Sequence, residues 1–169
     1  MIVSTAMVGD TLIETMPGRV RELYLDEQGR RGAWIECPHG KAPEAGQYVL
    51  AWDPADRAAP LAAALYPARV ETDAFQAAAP VPPGWQPGTR LGVRGPLGRG
   101  FSVPAQARRV VLAALGDSAS RLAALAPALL RRQTALALFT DCPLPALPPA
   151  VEIYPLANLP EALAWADFL

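Results

Sequence analysis

The chain has 169 residues, of which 51% are hydrophobic and 18% are charged, and its formal net charge is -1. This balance argues against a nucleic acid or an anionic membrane as a partner, because either would require a basic surface. No apolar run is long enough to span a bilayer, and the first eight residues lack the pattern of a secretory signal. Because Cys37 and Cys142 are the only cysteines, a disulfide framework is not expected, and a cytoplasmic protein without membrane insertion is predicted.

The first hundred residues read as short strands separated by turns. Apolar residues spaced among polar ones predict a hairpin from residues 19–25 and 32–37, with Gln28-Gly29 in the turn. Further strands are predicted at residues 47–52, 62–70 and 90–94. Residues 71–88 are rich in alanine and proline, so they are predicted to form a compressed connection. The Cys37-Pro38-His39-Gly40 segment combines a lone thiol with a lone imidazole, which favours a structural role over a metal site.

The strand-rich region ends in Gly95-Pro96-Leu97-Gly98-Arg99-Gly100-Phe101, with three glycines and one proline in seven residues. Glycine allows the backbone to approach a ligand or a neighbouring domain closely, and Pro96 fixes the local turn. Two interpretations are open. The stretch is either a ligand site at the seam between two regions or a tight turn that ends a strand.

The remaining residues predict a βαβ unit followed by another strand and helix. The first strand is a continuous apolar run, as in buried parallel strands. Asp117 or Ser118 can cap a helix that runs to about Arg132, and Pro127 should kink it. A second helix is predicted at residues 160–169, so the chain ends inside a helical pattern, as expected of a short natural variant or of one part of a longer polypeptide. The predicted strands are residues 110–115, 134–140 and 151–155.

The glycine stretch, in the order Gly-Pro-Leu-Gly-x-Gly-Phe, resembles the electron-transfer subunit of dihydroorotate dehydrogenase, a ferredoxin-reductase-like flavoprotein. Other pieces match in order: Gly18-Arg19-Val20, Ala45-Gly46-Gln47-Tyr48, Pro87-Gly88 and Arg108-Arg109. The resemblance implies a β + α/β fold. Residues 1–104 would form the antiparallel β-barrel that holds FAD in that family. Residues 105–169 would form a truncated Rossmann-like, three-layer α/β region, which receives NAD(H) in complete members.

The chain departs from the resembled family at several cofactor positions. In the family an Arg-Pro-x-Ser motif supplies an arginine for the FAD pyrophosphate and a serine near the flavin N5. The corresponding residues here are Tyr66-Pro67-Ala68-Arg69, and a phenol cannot replace a guanidinium. The proline-rich segment near Trp85 donates few amides to a phosphate. Asp117 places a carboxylate in the nucleotide-binding turn, which repels phosphate. The cluster-binding cysteines are absent from the sequence, so neither an iron–sulfur cluster nor a complete NAD site is expected.

These observations predict an accessory subunit of a ferredoxin-reductase-type electron-transfer system that does not oxidise NAD(P)H alone. The alternative is an FAD- or FMN-binding flavoprotein that passes electrons to a partner oxidoreductase, and whether the chain is itself an enzyme stays open. A protein partner in a redox complex, or a homo-oligomer, is expected. The candidate flavin seam consists of Tyr66, Pro67, Gly95, Pro96, Leu97, Gly98, Gly100 and Phe101.

Overall fold

A computed structural model describes residues 7–8, 11–12, 15–26, 28–116, 119–142 and 147–169. It contains a two-stranded, a seven-stranded and a three-stranded sheet. The two-stranded sheet pairs β1 (Met7–Val8) with β2 (Thr11–Leu12) in antiparallel fashion. The larger two sheets form a β region followed by an α/β region, which confirms the predicted fold class.

The seven-stranded sheet is antiparallel throughout and has the order β6-β5-β9-β3-β4-β8-β7. Its two edge strands, β6 and β7, are consecutive in the chain and separated only by Tyr66. The sheet therefore curls into a barrel in which Tyr66 joins the two edges. The strands are β3 (Thr15–Leu25), β4 (Arg31–Glu36), β5 (Tyr48–Trp52), β6 (Ala63–Leu65), β7 (Pro67–Val70), β8 (Ala74–Ala77) and β9 (Arg90–Leu97).

The barrel core is formed by alternate residues of these strands, as the pleat requires. Val20, Ile35, Val49, Phe75 and Val93 have no exposed surface. Phe75 lies on β8, within the segment predicted to be an irregular connection, so that prediction was wrong for residues 74–77. Pairing of Phe75 with Ile35 on β4 and burial of its ring outweigh the weak strand propensity of the neighbouring alanines.

The three-stranded sheet is parallel, with the order β10-β11-β12. Helices α1 (Ala119–Leu122) and α2 (Leu125–Arg131) cover one face, and a 3-10 helix (Leu156–Asn158) with α3 (Leu159–Ala162) covers the other. This arrangement confirms the three-layer α/β region. None of the helices in the described ranges is long and apolar enough to cross a membrane. The strands are β10 (Arg109–Ala114), β11 (Ala135–Thr140) and β12 (Glu152–Tyr154).

The helix predicted to reach Arg132 is divided into α1 and α2, with the break at Ala123 and Ala124. In a continuous helix the ring of Pro127 would clash with the carbonyl of Ala123, four residues earlier. The predicted proline distortion is therefore confirmed, and it is strong enough to separate two helices. Asp117 and Ser118, the predicted caps, lie outside the described residues.

The helix predicted at residues 160–169 was wrong beyond Ala162. Phe168 instead forms a parallel bridge with Val110, and its carbonyl accepts a hydrogen bond of 2.9 Å from the Val111 amide. The Asp167 carboxylate accepts hydrogen bonds from the backbone amides of Arg108 and Arg109, both at 3.0 Å. These long-range bonds to β10 override a local helical pattern, whose propensity is only a weak preference.

Docking of this final segment should depend on pH through Asp167. The Arg109 side chain, which bonds the carboxylate at 2.9 Å, and the two backbone amides lower the pKa of Asp167. A lowered carboxyl pKa contributes stability above the unfolded pKa of about 3.9, and that contribution is lost as the pH falls through the folded pKa. We expect hydrogen exchange of the Val111 amide, corrected for its intrinsic rate, to accelerate below about pH 4.

The matched variants are Asp167→Asn and Asp73→Asn, because Asp73 is an exposed carboxylate outside the segment. Asp167→Asn should accelerate Val111 exchange at neutral pH and remove the further acceleration at low pH. Asp73→Asn should keep the slow exchange at neutral pH and the acceleration at low pH. An unchanged acid-dependent step in Asp167→Asn would contradict the assignment.

Candidate functional site

Tyr48 lies between the two halves of the predicted seam. Its backbone pairs with Leu97 across β5 and β9, and its ring is tilted against Tyr66, with centroids 5.6 Å apart. On the other side, a Cβ at Gly98 would lie 3.6 Å from Cε1 of Tyr48. The structure thus brings Tyr66 and Gly98 to a common neighbour that the sequence prediction left out. Sequence reasoning could have found Tyr48 from its place in the Ala-Gly-Gln-Tyr turn that opens β5.

Several predicted seam residues serve packing between strands. Pro67 is fully buried, so its side chain faces the barrel core. Gly95 has φ of +144°, and a Cβ there would lie 3.0 Å from Cγ1 of Val49 and 3.2 Å from the Tyr48 carbonyl oxygen. Glycine at this position therefore permits the irregular pairing of β9 with β5, whose register shifts between Tyr48 and Leu50. Pro96 and Leu97 are half-buried in the same part of β9.

Beyond Gly98 the glycine stretch folds back on the turn before β5. The Phe101 amide donates a hydrogen bond of 2.9 Å to the Ala45 carbonyl. Gly46 has φ of +89°, and a Cβ there would lie only 2.8 Å from the Phe101 nitrogen, so a side chain does not fit. The exposed Gly100 leads into this contact. Phe101 itself is 45% exposed, which leaves a large part of its ring available.

The Tyr66 ring also contacts an arginine side chain of the α/β region. The guanidinium carbon of Arg121, on α1, lies 4.9 Å from the centroid of the Tyr66 ring. This distance is within the range of a cation–π interaction. The resembled flavoproteins carry their pyrophosphate-binding arginine at the position of Tyr66, and here a guanidinium reaches that position from another element. Arg121 was missed because it is far from the motif in the sequence.

A cleft of about 840 Å³ separates β7 from α2, and residues 101–103 also line it. Its volume is typical of small-molecule sites. Arg69 and Arg131 line the cleft without an ion pair to any described carboxylate, whereas Arg132 donates to the carbonyls of Val103 and Pro104. Glu44 is the carboxylate in the lining. The cleft therefore carries an excess of positive charge next to the exposed Phe101 ring.

A second cavity of about 510 Å³ adjoins the cleft and shares Ala68 and Arg69 with it. The Tyr24 hydroxyl, in its lining, donates a hydrogen bond of 2.8 Å to the Ala77 carbonyl. Burial, reinforced by the charge of Asp26, raises the pKa of Tyr24, so the phenol stays neutral near physiological pH. Besides Tyr24 and apolar side chains, this cavity is lined by Asp26 and Arg30, which form an ion pair at 2.8 Å.

The residues present fit a flavin only in part. The cleft offers space, the Phe101 ring and the positive charges of Arg69 and Arg131, but neither Tyr66 nor Arg121 lines it. In the proline-rich segment, however, the Val81 amide already donates to the Arg31 carbonyl at 2.8 Å, and the Ala78 amide donates to the Tyr66 carbonyl at 2.8 Å. Because Pro80, Pro82 and Pro83 also lack an N–H group, the segment is a poor amide cradle for a second phosphate. Among the described residues, no group of three or more histidine, cysteine or acidic side chains is placed to hold a metal ion.

The fold is similar to that of solved ferredoxin reductases. One is a ferredoxin reductase in carbazole 1,9a-dioxygenase, with a TM-score of 0.70, 16% identity, and coverage of 95% of this chain and 59% of that chain. Its FAD apo form gives a TM-score of 0.65, 17% identity, and coverage of 92% and 58%. The Amycolatopsis cytochrome P450 reductase GcoB gives a TM-score of 0.60, 20% identity, and coverage of 90% and 55%.

At these low identities the likeness shows the fold alone, which is ferredoxin-reductase-like. This chain spans between 55% and 59% of the length of those three chains. No protein-family model matches the sequence, and no curated protein matches it. The narrower resemblance to the dihydroorotate dehydrogenase subunit, the boundary near Pro104 and the flavin seam remain predictions.

The contact between Tyr66 and Arg121 can be measured by a double-mutant cycle. We expect Arg121→Gln and Tyr66→Leu to show a coupling free energy of unfolding of about 0.5–1 kcal/mol, the usual value for a partly exposed cation–π pair. Urea denaturation of the two single variants and the double variant gives this value. Pairing Tyr66→Leu with Arg57→Gln, an exposed arginine on a barrel loop, should give no coupling. Equal coupling in both cycles would contradict the contact.

Cys37 should be chemically inert in the folded protein. Burial, with a smaller effect of the Asp73 charge, raises the pKa of the Cys37 thiol to about 11. At pH 8 the reactive thiolate is then about a thousandth of the population. Iodoacetamide followed by peptide mass mapping should therefore modify the half-buried Cys142 well before Cys37, and both equally fast in denaturant. Rapid labelling of Cys37 in the native protein would contradict this.

Proposed function

We propose that this chain is an accessory component of a ferredoxin-reductase-type electron-transfer system and that it does not oxidise NAD(P)H by itself. The ferredoxin-reductase-like fold supports the general class. One solved protein with this fold is named as the ferredoxin reductase of a dioxygenase and another as a cytochrome P450 reductase. We propose that this chain acts in a comparable multi-protein redox system.

The observation that carries the proposal is the environment of Tyr66. Its ring contacts the Tyr48 ring and the Arg121 guanidinium, and its carbonyl is bonded to the Ala78 amide. In the resembled flavoproteins this position holds the arginine that binds the FAD pyrophosphate. Here the chain's own side chains pack at that position, which supports a scaffold without the complete reductase cofactor set. Function depends on placed groups and not on the fold alone.

The outer edge of the α/β sheet supports a protein partner. All three residues of β12 are exposed, and Ile153 exposes 51% of its surface. Parallel strands are ordinarily covered on both faces, and a free edge offers unpaired backbone groups to another chain. We therefore propose that a redox partner or a second copy of the chain contacts this edge. A cytoplasmic location is part of the same proposal.

The alternative function is that of a flavin carrier, and the cleft beside Phe101 favours it. Arg69 and Arg131 lack ion-pair partners among the described carboxylates, and Arg121 adds a third cation near Tyr66. Because the proline-rich segment is a poor amide cradle for a second phosphate, FMN fits this arrangement better than FAD does.

The deciding experiment combines a visible spectrum with a turnover assay. Protein purified under native conditions is mixed with excess FMN or FAD, and NADH or NADPH oxidation is followed with ferricyanide as the acceptor. The proposal predicts no flavin band after gel filtration and no rate above that of free flavin. Protein-dependent turnover with either nucleotide would overturn it.

A retained flavin band without turnover would instead establish the alternative. In that case Arg69→Gln with Arg131→Gln should weaken FMN binding, and Arg121→Gln should weaken it independently. The control pair Arg57→Gln and Arg90→Gln, both exposed barrel residues, should leave it unchanged. Tighter binding of FAD than of FMN would contradict the one-phosphate assignment.

A further inference from the structure

A separate cavity of about 280 Å³ lies on the α3 side of the three-stranded sheet. It shares no lining residue with the cleft or the predicted flavin seam. Three aromatic rings and two carboxylates line it: Phe139, Tyr154, Trp165, Glu152 and Glu161. Its volume falls just below the range of drug-sized sites, so its size suits a single functional group on a short stem.

The aromatic rings form an open, rigid wall. The Phe139 and Tyr154 rings are stacked, with centroids 5.3 Å apart and an interplanar angle of 22°. Phe139 is buried and fixes the stack, whereas Tyr154 and Trp165 are 38% and 36% exposed. Trp165 already attracts a guanidinium, since the Arg109 guanidinium carbon lies 5.9 Å from its ring centroid. Arg109 is not part of the cavity lining.

The charge of the lining is negative and uncompensated. No lysine or arginine is among the lining residues, and neither Glu152 nor Glu161 forms an ion pair with a described basic side chain. The Tyr154 hydroxyl donates a hydrogen bond of 2.8 Å to Oε2 of Glu152. This bond holds a carboxylate at the edge of an aromatic wall. A cation that reaches the cavity would therefore meet aromatic faces and carboxylate acceptors together.

We propose that this cavity binds a small organic cation, either a guanidinium or an alkylammonium group. Aromatic faces attract such cations through the ring quadrupole, and carboxylates accept their N–H groups in charge-assisted hydrogen bonds. A planar guanidinium fits against aromatic faces as well as against a carboxylate. Two of the lining residues, Glu152 and Tyr154, also belong to the β12 edge proposed above for a partner. The cation proposal does not depend on the electron-transfer function, because the cavity shares no residue with the cleft or with the Tyr66 contacts and the titration uses this chain alone.

The test is an NMR titration of the full chain with butylguanidine and with butylurea, its neutral counterpart of similar shape. Butylguanidine should shift the indole N–H of Trp165 and the backbone amide of Tyr154. It should bind about twofold to fivefold more tightly than butylurea, the ratio expected from one exposed cation–π contact. Equal binding of the two compounds, or no shift at Trp165, would overturn the proposal.

The paired variant Glu152→Gln/Glu161→Gln keeps the shape of the cavity and removes its charge. Its butylguanidine affinity should fall up to about fivefold, the loss expected from removing exposed charge–charge contacts, while the aromatic faces still favour butylguanidine over butylurea. The control Glu22→Gln/Glu36→Gln changes two carboxylates on the barrel and should leave affinity unchanged. The remaining amide spectrum reports whether each variant is folded. Loss of affinity in the control, or retention in the cavity variant, would overturn the assignment.

A second titration identifies the carrier of the cation. An acetylated, amidated Gly-Arg-Gly peptide presents the same guanidinium with flanking backbone. If the peptide binds more tightly than butylguanidine, the natural ligand is a side chain on a protein segment. If butylguanidine binds as tightly or more tightly, the natural ligand is a free small molecule.

Discussion

The packing around Tyr66 is the constraint on which the rest of the structure depends. This residue separates the two edge strands of the seven-stranded sheet, so its conformation decides how the barrel closes. Its carbonyl accepts the Ala78 amide, its ring contacts Tyr48, and Arg121 packs over that ring from α1. Tyr66 therefore takes part in barrel closure and in the contact with the α/β region. Through Tyr48 it is also linked to the glycine stretch.

The sequence predicted those elements whose signal is local. β4 and β10 follow from the spacing of apolar residues, and the break between α1 and α2 follows from Pro127. The errors fall where distant residues decide the structure. Phe75 forms strand β8 because it pairs with Ile35, and Phe168 leaves the helical pattern because β10 and the Arg109 side chain hold the final segment. Neither partner is visible in a short window of sequence.

The candidate site shows the same limit in chemical terms. The glycine motif was predicted to be either a ligand site or a tight turn that ends a strand. In the structure Gly95 and Gly98 have positive φ and lie close to β5 and the turn before it, at the end of β9. The family pattern, however, has an arginine at the position of Tyr66, so a comparison of motifs registers only that this arginine is missing. A cation acts by where its charge lies and not by its place in the chain, so inspection of the motif alone does not find the Arg121 guanidinium that packs over Tyr66 from α1.

Charge distribution also changes what the composition implies. A net charge of -1 argues against large charged partners, and it hides two local fields of opposite sign. The cleft is lined by Arg69 and Arg131, which have no ion-pair partner among the described residues. The cavity beside α3 is lined by Glu152 and Glu161, which also have no ion-pair partner among the described residues. Because screening by salt limits the interactions of exposed charges to about 10 Å, each site responds to its own side chains. The same near-neutral chain therefore presents one site suited to an anion and another suited to a cation.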